Sequence, residues 1–227
     1  MTRSLPSPRR WRRVVAAALL ALGALAASTA FAASLNVTAS KQTGWSATCT
    51  ASTVTASAEA DSYVDDGGAA DDNFGGIGTM TVRSGGITVL LSLVPDNARA
   101  LVRFPLPASA GRCPVTLAKL RLYATAATSG RTLRAIPVDG SWVESSVTWN
   151  NQPNATGTAV GIASGSGAGY REWTVTPQVT TMYSGTNNGF LIRDSVDGGG
   201  LLADYTQTFT SRTGTAGQRP ELVITYG

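Results

Sequence analysis

Apolar side chains recur at every second position in this chain, in runs of about six to eleven residues. In 115–125, Leu120, Leu122 and Ala124 share one face, while Lys119, Arg121 and Tyr123 share the other. In 98–104, Val102 and Phe104 lie opposite Leu101 and Arg103. In 219–226, Leu222, Ile224 and Tyr226 alternate with Glu221, Val223 and Thr225. Such runs are broken by clusters of Gly, Asn, Asp and Pro, which build turns for different steric reasons. The pattern predicts strands over 59–64, 77–83, 87–93, 98–104, 115–125, 131–138, 145–149, 158–163, 170–176, 188–193, 201–210 and 219–226. One apolar and one mixed face per strand predicts an all-β chain, a jelly-roll β-sandwich of two antiparallel sheets. The one helical segment expected is Pro177 to Tyr183, opened by a proline and stopped by Gly185.

The first 32 residues have another texture. Arg3, Arg9, Arg10, Arg12 and Arg13 precede an Ala/Leu-rich run from Val14 to Ala27, and Ala30-Phe31-Ala32 offers small residues at a cleavage site. This predicts a signal peptide over 1–32 and a secreted, extracellular product; the run is short for a membrane helix, which needs about 20 residues. Residues 33–58 are Ser/Thr/Ala-rich and read as a linker or irregular strand, with the domain over 59–227. The whole chain has 18 basic and 14 acidic residues. Five basic residues lie in the leader, leaving 13 against 14, so the mature chain gives no electrostatic support for nucleic-acid binding. Export permits a disulfide between Cys49 and Cys113, worth roughly 3–4 kcal/mol in the chain-entropy picture; two free thiols are the alternative. There is no histidine, which removes Ser-His-Asp and Cys-His nucleophiles and His-ligated zinc.

Several stretches together resemble a known family. Ala60-Asp61-Ser62-Tyr63-Val64-Asp65 followed by Asp72-Asn73-Phe74-Gly75, then Ala100-Leu101-Val102-Arg103-Phe104 and Ala118-Lys119-Leu120-Arg121-Leu122-Tyr123, are similar to strands of DNRLRE domains, also grouped as carbohydrate-binding module family 96. The densest match runs from Trp142 to Pro153 and resembles the family's W-x-E-S-x-V-T-W-N-N-x-P signature. Ser211-Arg212 and Arg219-Pro220-Glu221-Leu222-Val223-Ile224-Thr225-Tyr226 resemble its close. Thr213 stands where the family usually has Glu, Pro105 where it has Asp, and 84–97 reads as an insertion. The resemblance implies a non-catalytic jelly-roll module on secreted or surface proteins, with polysaccharides, uronate polymers among them, as partners.

Four groups of residues carry possible chemistry. Asp61, Asp65, Asp66, Asp71 and Asp72 form an acidic opening that suits a structural Ca²⁺, which takes several oxygen ligands, or that simply builds turns. Asp194, Asp197 and Asp204 are a second, weaker set. Lys119, Arg121 and Tyr123, extended by Arg103 on a neighbouring strand, offer guanidinium forks and a ring to an acidic sugar, or form an ordinary solvated sheet face. Trp142, Trp149 and Trp173 read as core rather than sugar platforms; Trp45 and tyrosines 170, 183 and 205 read as candidates for exposure. Glu144 and Glu172 are the acids one would pair for glycoside hydrolysis, without supporting spacing. The expected function is therefore non-catalytic polysaccharide binding. A structural or adhesive surface role is the alternative, and a small lyase or hydrolase a remote one.

Overall fold

Alternating faces become strands in much of the described part of the chain. The computed structural model describes residues 49–89, 92–108, 112–198 and 204–227; the leader, Trp45 and most of the expected linker lie outside them. Among the described residues, the strands are β1 Ser52–Ser57, β2 Ala60–Asp65, β3 Thr79–Val89, β4 Ser92–Arg103, β5 Val115–Ala127, β6 Thr132–Pro137, β7 Val160–Ala163, β8 Gly169–Thr174, β9 Phe190–Asp194, β10 Asp204–Thr210 and β11 Glu221–Tyr226. Helix α1, Thr176–Ser184, lies where Pro177 and Gly185 predicted it, and turns Val179 and Met182 into the core. No described helix is long and apolar enough to cross a membrane.

Two expectations need correcting. Residues 145–149 are a turn, not a strand: the Ser146 and Val147 N–H groups both donate to the Val143 carbonyl (3.1 and 2.9 Å). The side chain of Asn151 then accepts from Thr148 N–H and donates to Ser146 O, so local side-chain bonds replace a ladder. Residues 77–83 and 87–93 are not two strands. Residues 79–83 and 87–89 belong to one element, β3, whose distal half forms a hairpin with β4 through the apparent insertion, from Ser84↔Asn97 to Val89↔Ser92, so that Ser92 and Leu93 open β4. In the span read as a linker or irregular strand, residues 52–57 take the strand alternative and form β1, paired along its length with β11.

All strand pairings named here are antiparallel and belong to one connected sheet. Its order is β1-β11-β5-β10-β3-β4-β9-β6-β7, with β2 on β4 and β8 on β5. Hydrogen bonding therefore does not divide it into the two separate sheets that the alternation predicted. The reason lies in two long strands. β4 serves β3 with its first half and β2 and β9 with its second; β5 serves β11, then β10, with β8 also paired to it. Register shifts at Thr208/Phe209 and Thr225/Tyr226 add local bends. The sheet curls far enough that Trp173 on β8 donates its indole N–H to Leu133 O on β6 (3.2 Å), across the interior.

That interior holds Leu120, Leu122, Trp173, Ile192, Phe209 and Ile224, with others. A second apolar cluster lies on the outer face, where Leu101, Ile136 and Leu191 are covered by Val138, Trp142 and Val147 from the β6–β7 connection. Ala100-Leu101-Val102 and Phe190-Leu191-Ile192 are thus buried at every position, because both faces of this part of the sheet are covered. Cys49 and Cys113 form a disulfide that closes a separation of 64 residues. Replacing both cysteines with serine is expected to lower the unfolding free energy by roughly 4 kcal/mol, read as a shift of the urea midpoint. An unchanged midpoint would show that the tether constrains nothing.

Candidate functional site

Lys119, Arg121 and Tyr123 project from the outer face of β5, as their alternation predicted. Register places Glu172 of β8 and Glu221 of β11 directly opposite Arg121. Lys119 Nζ meets Glu172 at 2.9 Å, and Arg121 meets Glu172 at 2.8 Å and Glu221 at 2.6 Å. The hydrogen bond from Lys119, above all, holds the Glu172 carboxyl below its usual range. The Arg121 guanidinium lies 4.1 Å from the Tyr170 ring centroid, and Tyr170 meets Tyr123 edge-on at 5.2 Å. Two cations face two carboxylates, so this face is electrically balanced. Arg103 does not extend it: β10 and β3 lie between β4 and β5 in the sheet order. Arg103 instead binds Glu59 (2.6 Å) and the carbonyl of Trp142 (3.2 Å).

The five aspartates separate into three places. Asp65 and Asp66 come together with Asp96, a residue the sequence did not suggest, with carboxylate oxygens within 4.8 Å of one another. Arg83 binds Asp65 at 2.6 Å and Asp96 at 2.5 Å, while Asp66 accepts from the Asn97 backbone and side chain, both at 2.6 Å. In this arrangement the Arg83 guanidinium supplies neutralising charge, and Arg83 and Asn97 occupy carboxylate oxygens of the kind that Ca²⁺, with its six to eight oxygen ligands, would take. Asp71 accepts from Asn150 at 2.6 Å, and Asp72 is exposed. Asp61 is buried beside Glu144 and Arg212. In the weaker set, Asp194 binds Arg131, Asp197 binds two other arginines, and Asp204 bonds to Thr206. Glu144 and Glu172 are held by separate cations, Arg212 for the first and Lys119 with Arg121 for the second.

A polar hollow lies elsewhere, on the outer face of β4, β9 and β6. It is an open groove of about 380 Å³, with Leu191 and Ile136 in its lining. Gln152, Asn154 and Thr156 of the β6–β7 connection line it together with Arg99 from β4 and Arg193 from β9. Arg99 lies 4.3 Å from the Trp149 ring centroid and donates to Gln152 Oε1 at 3.2 Å. The groove is mainly polar, so what it offers a ligand is chiefly hydrogen bonding from these side chains. Two further hollows, one beside α1 at Val138 and Met182 and one beside Cys113 and Tyr183, expose mainly apolar surface.

A family model described as carbohydrate-binding module family 96 matches residues 52–226. The chain belongs to that family. No curated protein matches it. In this family 96 module the Trp142–Pro153 segment is a run of turns rather than a strand, and it leads into the groove wall, which its last two residues, Gln152 and Pro153, begin. Asn73 clamps it by donating to Glu144 O (2.8 Å) and Val147 O (2.7 Å). Trp142 donates its indole N–H to Asn188 O (2.9 Å), which fixes the wall to the approach to β9. Sequence reasoning identified the segment but not the groove. Arg99, Arg193, Gln152 and Asn154 are ordinary polar residues singly, and they are gathered only when the β6–β7 connection folds over β4 and β9.

Behind this wall, burial pushes the Asp61 carboxyl from 3.8 to about 6, partly offset by the Arg212 N–H that it accepts at 2.6 Å. Burial alone would raise Glu144 too, but the Arg212 guanidinium and the Asp61 N–H pull it below its ordinary value. Asp61 has a higher pKa folded than unfolded. Its contribution to stability is therefore full below about pH 4 and lost as pH rises toward 6, about 3 kcal/mol in all. Asp61→Asn is expected to raise stability at pH 7 and to flatten the loss between pH 4.5 and 7 in urea melts. An Asp61→Asn variant with the wild-type pH slope would contradict this.

Proposed function

We propose that the protein is a secreted, non-catalytic module that binds polysaccharide in the groove between the Gln152–Thr156 wall and the β4-β9-β6 sheet. The family supports carbohydrate as the ligand class. The observation that carries the site is the groove itself, where amide and hydroxyl side chains stand beside apolar floor. Amides and hydroxyls both donate and accept, which matches sugar hydroxyls. Acidic, uronate-type polymers are the first ligands to test, because two of the groove's lining residues are arginines. The leader supports export, and the disulfide fits an oxidising compartment.

The test is affinity electrophoresis through gels containing neutral or uronate polysaccharides. Retardation by at least one polymer is expected. It should be lost on Asn154→Trp, which places a large ring at the exposed lip of the groove without removing a buried contact. Free migration through every gel, or full retardation of the Asn154→Trp variant, would contradict the reading.

A further inference from the structure

Four strands, β1, β2, β7 and β8, have a single strand partner among the described residues. We propose that one of them, β1, is the edge through which two copies of this chain pair into a continuous sheet. An open strand edge is a template for another strand, and proteins blunt it with charge, short length, bulges or cover. β2 is covered: five of its six residues are buried, the acids Asp61 and Asp65 among them. β7 has four residues and is weakened by Gly161. β8 starts at Gly169 and carries Arg171 and Glu172. β1 has none of these guards: Ser52 to Ser57 holds no charge, glycine or proline. It runs along β11 for six positions without a register shift, so its outer edge is regular.

The ladder fixes which backbone groups point outward. Ala58, just past the strand, donates its N–H to Pro220 O at 3.4 Å. In an antiparallel ladder the bonding residues alternate, so Ala56 and Val54 also bond to β11, while Thr53, Thr55 and Ser57 turn N–H and C=O away from it. All three are exposed. A second copy is the occupant that this edge suits. Two identical edges meet about a twofold axis, which brings every charge near its own copy, and from Cys49 to Ala58 there is no charge to repel. With the axis at Thr55, Thr55 faces its own copy, Thr53 faces the partner's Ser57, and Val54 faces the partner's Ala56. Directly opposite residues share a face. The inward pair therefore extends the interior, against whose rim Val54 already packs, and the hydroxyl residues lie together on the outer face. Thr53, Thr55 and Ser57 exchange about six backbone hydrogen bonds with their copies. The pairing is independent of what the groove binds; where that ligand is a polymer, two copies of the groove engage it together.

Sedimentation velocity of the purified protein tests the pairing. An interface this small is weak, with an expected Kd of about 50 µM, so sedimentation is followed from about one-fiftieth to about ten times that concentration. Thr55→Pro removes an outward N–H and no bond to β11, which an edge strand tolerates. Thr55→Lys sets two ammonium groups together at the axis. The wild type is expected to pass from monomer to dimer across this range. Both variants should stay monomeric, with melting midpoints within about 3 °C of wild type. Val37-Thr38-Ala39-Ser40 repeats the sequence Val54-Thr55-Ala56-Ser57, so Thr38→Pro is the third variant, expected to dimerise like wild type. A wild type that is monomeric at every concentration, or a dimer that persists in Thr55→Lys, overturns the proposal. Dimers lost in Thr38→Pro, or gained there from a monomeric wild type, assign the edge to residues 37–40 and overturn the pairing of β1 with β1.

Discussion

Gly189→Ala is expected to leave the chain unable to fold, with a loss of more than about 4 kcal/mol, the range of severe core disruption. Gly189 has φ +82°, and a Cβ there would sit 2.2 Å from Val102 O and 2.8 Å from Arg103 Cα. Both obstacles are backbone of β4, so no side chain can swing aside. The turn is also a junction. Asn187 bonds to Gly189 N–H and to Phe104 O, Asn188 O receives the Trp142 indole, and the Gly189 carbonyl receives Val138 N–H. Shifting the turn would move the start of β9, break the Phe190↔Val102 pairing and carry Arg193 away from Arg99. The measurement is soluble yield with tryptophan fluorescence. A folded alanine variant with near-native stability would show that β9 can relax.

Trp142→Ala is expected to cost about 3–5 kcal/mol, the range for deleting a buried large aromatic. Trp142 covers the outer apolar cluster with Val138 and Val147, and its ring lies 5.3 Å from the Arg103 guanidinium carbon. Trp142→Phe separates packing from hydrogen bonding. It keeps most of the cover but leaves Asn188 O without its donor, an expected cost of about 1–2 kcal/mol. Because the same residue anchors the groove wall, polysaccharide affinity should fall in both variants, even under conditions where each is fully folded. Denaturant midpoints and gel retardation measured together check this. An alanine variant that binds normally would mean that the wall holds its place without its anchor.

Secondary structure was legible where chemistry is local. Alternation located most strands, and proline with glycine bracketed α1. The turn at 145–149 was missed because Val147 and Trp149 alternate as a strand would, yet pack into the outer cluster from a wall held by asparagine side chains. The polar stretch 52–57 carries little apolar signal, since only one of its residues is buried. The connected sheet was hidden because β4 and β5 change neighbours along their length, a property of register that composition does not record.

The candidate site divides in the same way. Lys119, Arg121 and Tyr123 were visible because they share one strand, but the acids that neutralise Arg121 sit on two others. The acidic opening was visible as a run, whereas Arg83 and Asp96, which complete its ion pairs, lie on the β3–β4 hairpin. Arg99 and Arg193 are remote in sequence and occupy ordinary outward positions. They meet at Asp197 only when β4 and β9 align.

The most direct measurement is amide and side-chain chemical-shift mapping of the folded protein titrated with a uronate oligosaccharide. The groove predicts that shifts concentrate at Gln152, Asn154 and Thr156 and at the side chains of Arg99 and Arg193. Shifts gathered instead around Lys119, Arg121 and Tyr170 would contradict it, placing the sugar on the balanced face of β5 and β8.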